Sequence, residues 1–325
     1  MEKLLEVKNL EKHYPIYGGF FNRPIEAIKA VNGLNFHLNK KETLGIVGES
    51  GCGKSTTGKT IIRLTNPTNG EIIFKGKNIT HIQGEDLRMT RRDMQLIFQD
   101  PFSSLNPKMT VGDILSESLI IQNQLSKKER LLRVKELLNI VGLSPYQLRR
   151  YPHEFSGGQR QRIGIARAIS VNPSLIVADE AVSALDVSVQ AQIVNLFQDL
   201  KEEFDLTYVF ISHDLSVVRF ISDRIMVMYL GKIMEISDKV DLFENPLHPY
   251  TQALLSSIPT SSQEKRSKRI ILEGDVPDPS RLPTGCFFHP RCRYRTERCI
   301  REVPELKNVT AKHAVACHLM DNNTQ

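Results

Sequence analysis

The residues Gly48-Glu49-Ser50-Gly51-Cys52-Gly53-Lys54-Ser55-Thr56 match the spacing G-x-x-x-x-G-K-[ST]. The chemistry of that pattern is the binding of a polyphosphate. Glycines let the backbone fold so that its N–H groups point inward at phosphate oxygens. Lys54 can reach the β- and γ-phosphates, and Ser55 can ligate Mg2+. Cys52 reads as a small loop residue, not a nucleophile. A Mg2+ nucleotide site also needs a carboxylate at a strand end. Asp179 directly follows the apolar run Leu175-Ile176-Val177-Ala178, and Glu180 beside it can orient, or take a proton from, an attacking water. Strand-end carboxylates can also be structural, and it is the pairing with a complete phosphate loop that favours the chemical role. A second group of reactive residues lies near the C-terminus. Cys286, Cys292, Cys299 and Cys317 are spaced C-x5-C-x6-C-x17-C. Four thiolates can close a tetrahedral Zn2+ site or hold a [4Fe–4S] cluster. The tight C-x2–4-C pairs usual for zinc are absent, and four free or partly oxidised thiols are the third reading.

These residues need a scaffold. Thr43-Leu44-Gly45-Ile46-Val47 reads as a buried strand and Thr57 to Leu64 as a helix, so the loop lies where a strand meets a helix N-terminus. Leu4–Val7 and Leu34–Leu38 read as strands, and Glu71–Phe74 before Lys75-Gly76 as a hairpin arm. The stretch 85–158 is more helical. Ser126-Lys127-Lys128-Glu129 is a capping box, Leu131, Val134, Leu138 and Val141 mark one helix face, and Gly142 can close that helix. Beyond residue 160 strands and helices alternate: a helix over Arg160–Ser170, strands at 175–178, 208–211 and 225–228, and a long helix carrying Val189, Ile193, Phe197, Leu200 and Phe204. That alternation implies a largely parallel, sandwiched sheet. A polar connector over 259–283 precedes the cysteine-bearing tail.

The chain has 325 residues, 40% of them hydrophobic, and a net charge of +6. It is long enough for one large domain or two to three smaller ones. The charge comes from 43 basic against 37 acidic residues, an excess too small to require nucleic acid as a partner. No run of about 18 apolar residues spans a bilayer. Met1-Glu2-Lys3-Leu4-Leu5-Glu6 lacks a secretory h-region, so the chain is expected to stay in the cytosol, where five cysteines would be kept reduced.

Between loop and carboxylate stands Phe155-Ser156-Gly157-Gly158-Gln159-Arg160-Gln161-Arg162. Ser156 and Gly158 can open a helix and offer a hydroxyl and bare N–H groups to an anion. The segment resembles the signature of ATP-binding cassette (ABC) proteins, and other elements of that family follow in order. Gln99 resembles the Q-loop glutamine, Ser183-Ala184-Leu185-Asp186 the D-loop, and His213 the switch histidine. Tyr14 is similar to the adenine-stacking aromatic, the bland alternative being that Tyr14 or Tyr17 is ordinary surface or core. The resemblance implies an α/β P-loop ATPase with a mixed or parallel β core, an inserted helical subdomain over about 85–158 and a small C-terminal extension. It implies ATP held between the phosphate loop of one cassette and Ser156-Gly157-Gly158-Gln159 of another. Glu180 would polarise water, His213 would steady the γ-phosphate, and Ser55, Gln99 and Asp179 would serve Mg2+. One departure stands out. The family usually has Pro after the catalytic glutamate, and here Ala181 leaves the backbone less restricted.

The resemblance narrows to peptide-type importers, specifically to their F-type ATPase subunit. It rests on His13-Tyr14-Pro15-Ile16, on Phe98 through Pro107, on Tyr151 through Gln159, and on Asn245-Pro246-Leu247-His248-Pro249-Tyr250-Thr251. It covers about 1–318. It implies a cassette over 1–258 and an extension over 259–325, a peripheral position on the cytoplasmic face of the cell membrane, and no nucleic acid. The implied partners are two permease subunits contacted near Gln99–Asn106, a D-type ATPase subunit as heterodimer partner, and an extracytoplasmic solute-binding protein. In relatives such a tail is associated with a [4Fe–4S] cluster. Arg291, Arg293, Arg295 and Arg298 would then offset thiolate charge. A nickel or other solute importer, a soluble ABC ATPase acting on nucleic acid, and a metal-bearing nucleic-acid module are the competing readings.

Overall fold

The apolar runs form the strands that their composition predicts. Thr43–Val47, Leu175–Asp179 and Thr207–Ile211 are buried at every position, as continuous apolar strands in sandwiched sheets must be. In the computed structural model, residues 2–18, 23–100, 104–120, 125–258 and 270–322 are described. Pro101-Phe102-Ser103 of the expected permease contact, and 259–269 of the expected connector, lie outside them.

The described strands are β1 (Lys3–Gly18), β2 (Arg23–Asn39), β3 (Thr43–Val47), β4 (Asn69–Phe74), β5 (Lys77–Asn78), β6 (Met94–Ile97), β7 (Leu175–Asp179), β8 (Thr207–Ile211), β9 (Arg224–Tyr229), β10 (Lys232–Asp238), β11 (Lys307–Thr310) and β12 (His313–Val315). The helices are α1 (Lys54–Ile61), α2 (Gly84–Asp93), α3 (Val111–Ile120), α4 (Lys127–Ile140), α5 (Gly157–Ile169), α6 (Val187–Phe204), α7 (Leu215–Ile221), α8 (Lys239–Glu244), α9 (Pro249–Ser256) and α10 (Glu297–Arg301). No described helix is long and apolar enough to cross a membrane.

The chain divides into two compact units. The first comprises Lys40–Glu42 and Ile82–Ser212. Its strands run β8-β7-β6, all parallel. Ile193, Phe197 and Leu200 of α6 are buried, and Phe197 meets Tyr208 and Phe210 of β8 edge-on, at 5.5 and 5.8 Å between ring centroids. β6 interrupts the stretch expected to be helical over 85–158, because its apolar residues pair with β7. The predicted capping box starts α4. The Ser126 hydroxyl accepts from the Glu129 N–H, and the Glu129 carboxylate accepts from the Ser126 N–H at 2.7 Å. Gly142, at φ 72°, ends the helix. Leu131 departs from the predicted face. It is 46% exposed, and the buried stripe is Val134, Leu137, Leu138 and Val141.

The second unit comprises Glu2–Asn39, Thr43–His81 and His213–Gln325. It holds an antiparallel sheet in the order β2-β1-β4-β5 and a row β11-β12-β10-β9-β3. Only the β3–β9 pair in that row is parallel. The C-terminal tail is therefore joined to the unit by strand pairing through β12. The register sets His313 opposite Ser237 and brings its Nε2 to 2.6 Å from Oε1 of Glu235, a side chain with no exposed surface. Glu235 also accepts the N–H groups of Leu247 and His248. A buried carboxylate would be costly without such partners. Burial lowers the His248 imidazole to a pKa of about 4, with Glu235 opposing the shift. Its Nδ1 thus stays free to accept the Tyr250 N–H at 3.0 Å and cap α9.

Candidate functional site

The phosphate loop lies in the second unit. β3 ends at Val47 and α1 begins at Lys54, three residues earlier than the predicted helix. Gly53 makes the early start possible. It sits at φ 102°, and a Cβ there would fall 2.0 Å from the Ala30 carbonyl oxygen. The first intrahelical bond runs from the Thr57 N–H to Gly53 O at 2.8 Å. The N–H groups of the first helical turn, at Lys54, Ser55 and Thr56, have no earlier intrahelical acceptor. They stand at the positive end of the helix, where an anion is favoured. Ser50 and Gly51 are exposed at the loop tip, and Ser55 and Thr56 are half-buried. Lys54 is 5% exposed and donates to the carbonyls of Gly48 and Glu49, at 2.8 and 3.0 Å. Burial pushes the Cys52 thiol up, as an inert loop residue requires. In the same unit Tyr14 is 40% exposed, with the Lys12 ammonium 4.9 Å from its ring centroid. His213 is exposed beside Asp214, whose carboxylate caps α7 by accepting the Ser216 and Val217 N–H groups.

The carboxylates and the signature segment lie in the first unit. Asp179 ends β7 and is 4% exposed. β6 and β7 run parallel with Ile97 opposite Ala178. Two residues farther along each chain stand Gln99 and Glu180, and the Gln99 amide donates to Glu180 Oε2 at 2.8 Å. Glu180 takes the left-handed φ of 48°. Three hydrogen bonds hold it there despite the absence of proline: its N–H donates to Ile211 O at 3.0 Å, and its carbonyl accepts from the N–H and hydroxyl of Ser183. A residue kept in this sparsely populated region by its surroundings is a common feature of functional sites.

Ser156 caps α5 in a box with Gln159. The Ser156 hydroxyl accepts the Gln159 N–H at 3.4 Å, and the Gln159 carbonyl oxygen accepts the Ser156 N–H at 3.1 Å. The two glycines differ. A Cβ at Gly158 would lie 2.4 Å from Val189 Cγ1 of α6, whereas one at Gly157 would make ordinary contact with Leu185 at 3.4 Å. Gly158→Ala is therefore expected to destabilise the fold by about 1–3 kcal/mol, and Gly157→Ala to stay within about 0.5 kcal/mol. Urea unfolding of both variants checks this. Asp186 is exposed at the N-cap of α6 and makes no side-chain capping bond.

The four tail cysteines line one small enclosed cavity with His248, Phe288, His289 and His318. The Cys286 N–H donates to Cys299 O at 2.8 Å. Burial raises Cys286 to about 11 and Cys317 to about 12, and the neighbouring cysteines add to both shifts. Among the described residues no three His, Cys, Asp or Glu side chains are placed to hold one metal ion. The arginines correct the sequence reading. Arg293 and Arg295 do favour the Cys292 thiolate. Arg298 instead pairs with Glu302 and Asp321 at 2.7 and 2.9 Å, and Arg291 with Glu49 at 2.8 Å, so their charge is engaged by carboxylates.

Residues 31–183 match the ABC transporter family, and 234–299 match the C-terminal region of oligopeptide/dipeptide transporters. The chain is 56% identical over 98% of both lengths to the oligopeptide transport ATP-binding protein AppF of Bacillus subtilis. It is 46% identical, again over 98% of both, to the di/tripeptide transport ATP-binding protein DppF of Pseudomonas aeruginosa. Its fold is similar to the dimeric ATP-binding cassette MJ0796 bound to ADP and Pi in a post-hydrolysis state. That match has a TM-score of 0.65 and 32% identity, and covers 72% of this chain and 98% of the other. A phosphate loop, a strand-end carboxylate pair, a capped Ser-Gly-Gly-Gln helix and a tail of this type, matched nearly end to end, place the chain in the family of ATP-binding subunits of ABC transporters.

Proposed function

We propose that this chain hydrolyses ATP to power the uptake of di- and oligopeptides through a membrane importer. The similarity to AppF along almost the whole chain, including the oligopeptide/dipeptide C-terminal region, carries the reading. The cassette is residues 1–258 and the extension 259–325. The chain binds peripherally at the cytoplasmic face, on two permease subunits served by a solute-binding protein, with a D-type subunit as the second ATPase and no nucleic acid.

Tyr14 stacks on the adenine. The loop Gly48–Thr56 holds the phosphates, with the Lys54 ammonium turning from its carbonyl partners to the β- and γ-oxygens. Mg2+, when bound through Ser55, Gln99 and Asp179, neutralises phosphate charge. Glu180, oriented by the Gln99 amide, aligns the water and accepts its proton. His213 stabilises charge on the γ-phosphate, and Ser156-Gly157-Gly158-Gln159 with Asp186 meets the second cassette. Most of the acceleration is positioning and electrostatics.

The extension carries a [4Fe–4S] cluster held by Cys286, Cys292, Cys299 and Cys317. Four thiols lining one cavity are the donor set that such a group takes. A cluster takes one thiolate at each iron and does not need the sulfurs to converge on a point, as a single Zn2+ does. The cluster, when bound, is a structural or regulatory group. Peptide uptake into vesicles reconstituted with both permeases, the D-type subunit and this chain tests the main reading. Uptake should require this chain and internal ATP. A complex that hydrolyses ATP without accumulating any peptide would refute it. Assay of anaerobically purified protein should give about four iron and four sulfide per chain; zinc in their place refutes the cluster.

A further inference from the structure

Glu49 is a variable position of the phosphate loop, yet each of its polar groups is engaged within the second unit. Its carbonyl accepts from the Lys54 ammonium at 3.0 Å and from the Cys52 N–H at 3.3 Å. Its N–H donates to the Tyr250 hydroxyl at 2.9 Å, and its carboxylate accepts from Arg291 at 2.8 Å. The last two partners belong to the C-terminal region. Tyr250 lies in the first turn of α9. Arg291 ends a short turn, 289–291, that runs between Cys286 and Cys292.

Packing makes these contacts firm. The Arg291 side chain is only 9% exposed and Glu49 only 25%. An ion pair this secluded is weak evidence of stability but a precise positional constraint. The rings of Tyr229, Tyr250 and Phe288 pack together with centroids 4.8–5.5 Å apart. Phe288 also stands 5.6 Å from His248, and both line the cavity that contains the four sulfurs. The turn itself is tied to the cysteines by hydrogen bonds, from the His289 N–H to Cys286 O and from the Cys292 N–H to His289 O. A continuous set of contacts thus leads from the cysteine cavity to the carbonyl that holds the phosphate-binding lysine.

We propose that Arg291 and Tyr250 are positioning residues that latch Glu49, and that this latch couples the cysteine-bearing segment to nucleotide binding. Closure of the segment holds the loop in shape for phosphate, and phosphate in turn holds the segment closed. The coupling is reciprocal by necessity. It operates whether the thiols bear iron or protons, because it runs through the fold of the segment.

The test uses the full-length protein and two measurements. The first is ADP affinity, by titration. Arg291→Gln and Glu49→Gln should each weaken it by about ten-fold, and the double variant should be no weaker than either single one. The second is the rate at which iodoacetamide modifies Cys286 and Cys292, resolved by mass spectrometry. A thiolate bound to a cluster reacts only after release, so this rate reads segment opening in either state. Saturating ADP should slow it by a similar factor of about ten in the parent and leave it unchanged in Arg291→Gln. A merely structural ion pair would lower the unfolding midpoint of Arg291→Gln yet preserve both its ADP affinity and its ADP-dependent slowing, and that result overturns the proposal. Should Arg291→Gln fail to fold, Tyr250→Phe keeps the ring packing and removes only the hydroxyl. It should weaken ADP binding in the same direction, and parental affinity in that variant overturns the proposal equally.

Discussion

Glu180→Gln leaves nucleotide binding intact and lowers kcat for ATP hydrolysis by about 10²–10⁴-fold, the range general-base catalysis supplies. The substitution keeps size and shape. The carbonyl oxygen of the new amide can still accept from Gln99, and the backbone bonds to Ile211 and Ser183 do not involve the side chain. What disappears is the negative charge and the basicity that the proposed role of Glu180 requires. Because the loop Gly48–Thr56 is untouched, affinity for Mg-ATP should match the parent. Steady-state phosphate release and equilibrium nucleotide titration separate the two effects. Turnover at the parental rate would show that Glu180 is not the base and would return its left-handed backbone to a purely structural explanation.

Lys54→Ala has the opposite signature. Nucleotide affinity falls by about 10–100-fold, as expected when a hydrogen bond to a charged group is lost. The ammonium is nearly inaccessible and rests on two carbonyls at the mouth of the loop. It is therefore already desolvated when phosphate arrives, so its attraction to a polyanion is little screened. Lys54→Arg does not restore binding, because a planar guanidinium is too large for a site shaped around one point charge. Calorimetric titration with Mg-ATP measures the loss, and an unchanged urea midpoint shows that it is not unfolding. Parental affinity in Lys54→Ala would remove the loop from the nucleotide site.

Much of the site could be read from residue order, because its residues are close in sequence to the elements that place them. Val47 to Lys54 is one strand-to-helix turn, and Asp179-Glu180 simply follows β7. The meeting of Gln99 with Glu180 needed one more fact, the parallel register of β6 on β7, which sequence spacing does not supply. Other features were hidden for clear reasons. The helix start at Lys54 depends on a left-handed glycine at 53. Leu131 satisfied the helical period but stands 46% exposed. Periodicity reports a face and not what covers it. The bonds from Glu49 to Tyr250 and Arg291 cross 201 and 242 residues of chain. No local pattern marks such pairs, so sequence alone places these arginines only near the thiolates whose charge they would offset.

The pairing of β12 on β10 also matters for the sheet. β10 carries Ile233, Met234 and Ile236, all buried, and β12 covers the side of it that β9 leaves open. β11, the outermost strand, is exposed at every residue and polar at three of four, a poor template for another chain. Stripped of its final two strands, the protein would present an apolar row of unpaired backbone groups and a Glu235 carboxylate deprived of His313. Shortened forms would then be prone to self-association, so the tail protects the solubility of the whole molecule apart from anything its cysteines hold.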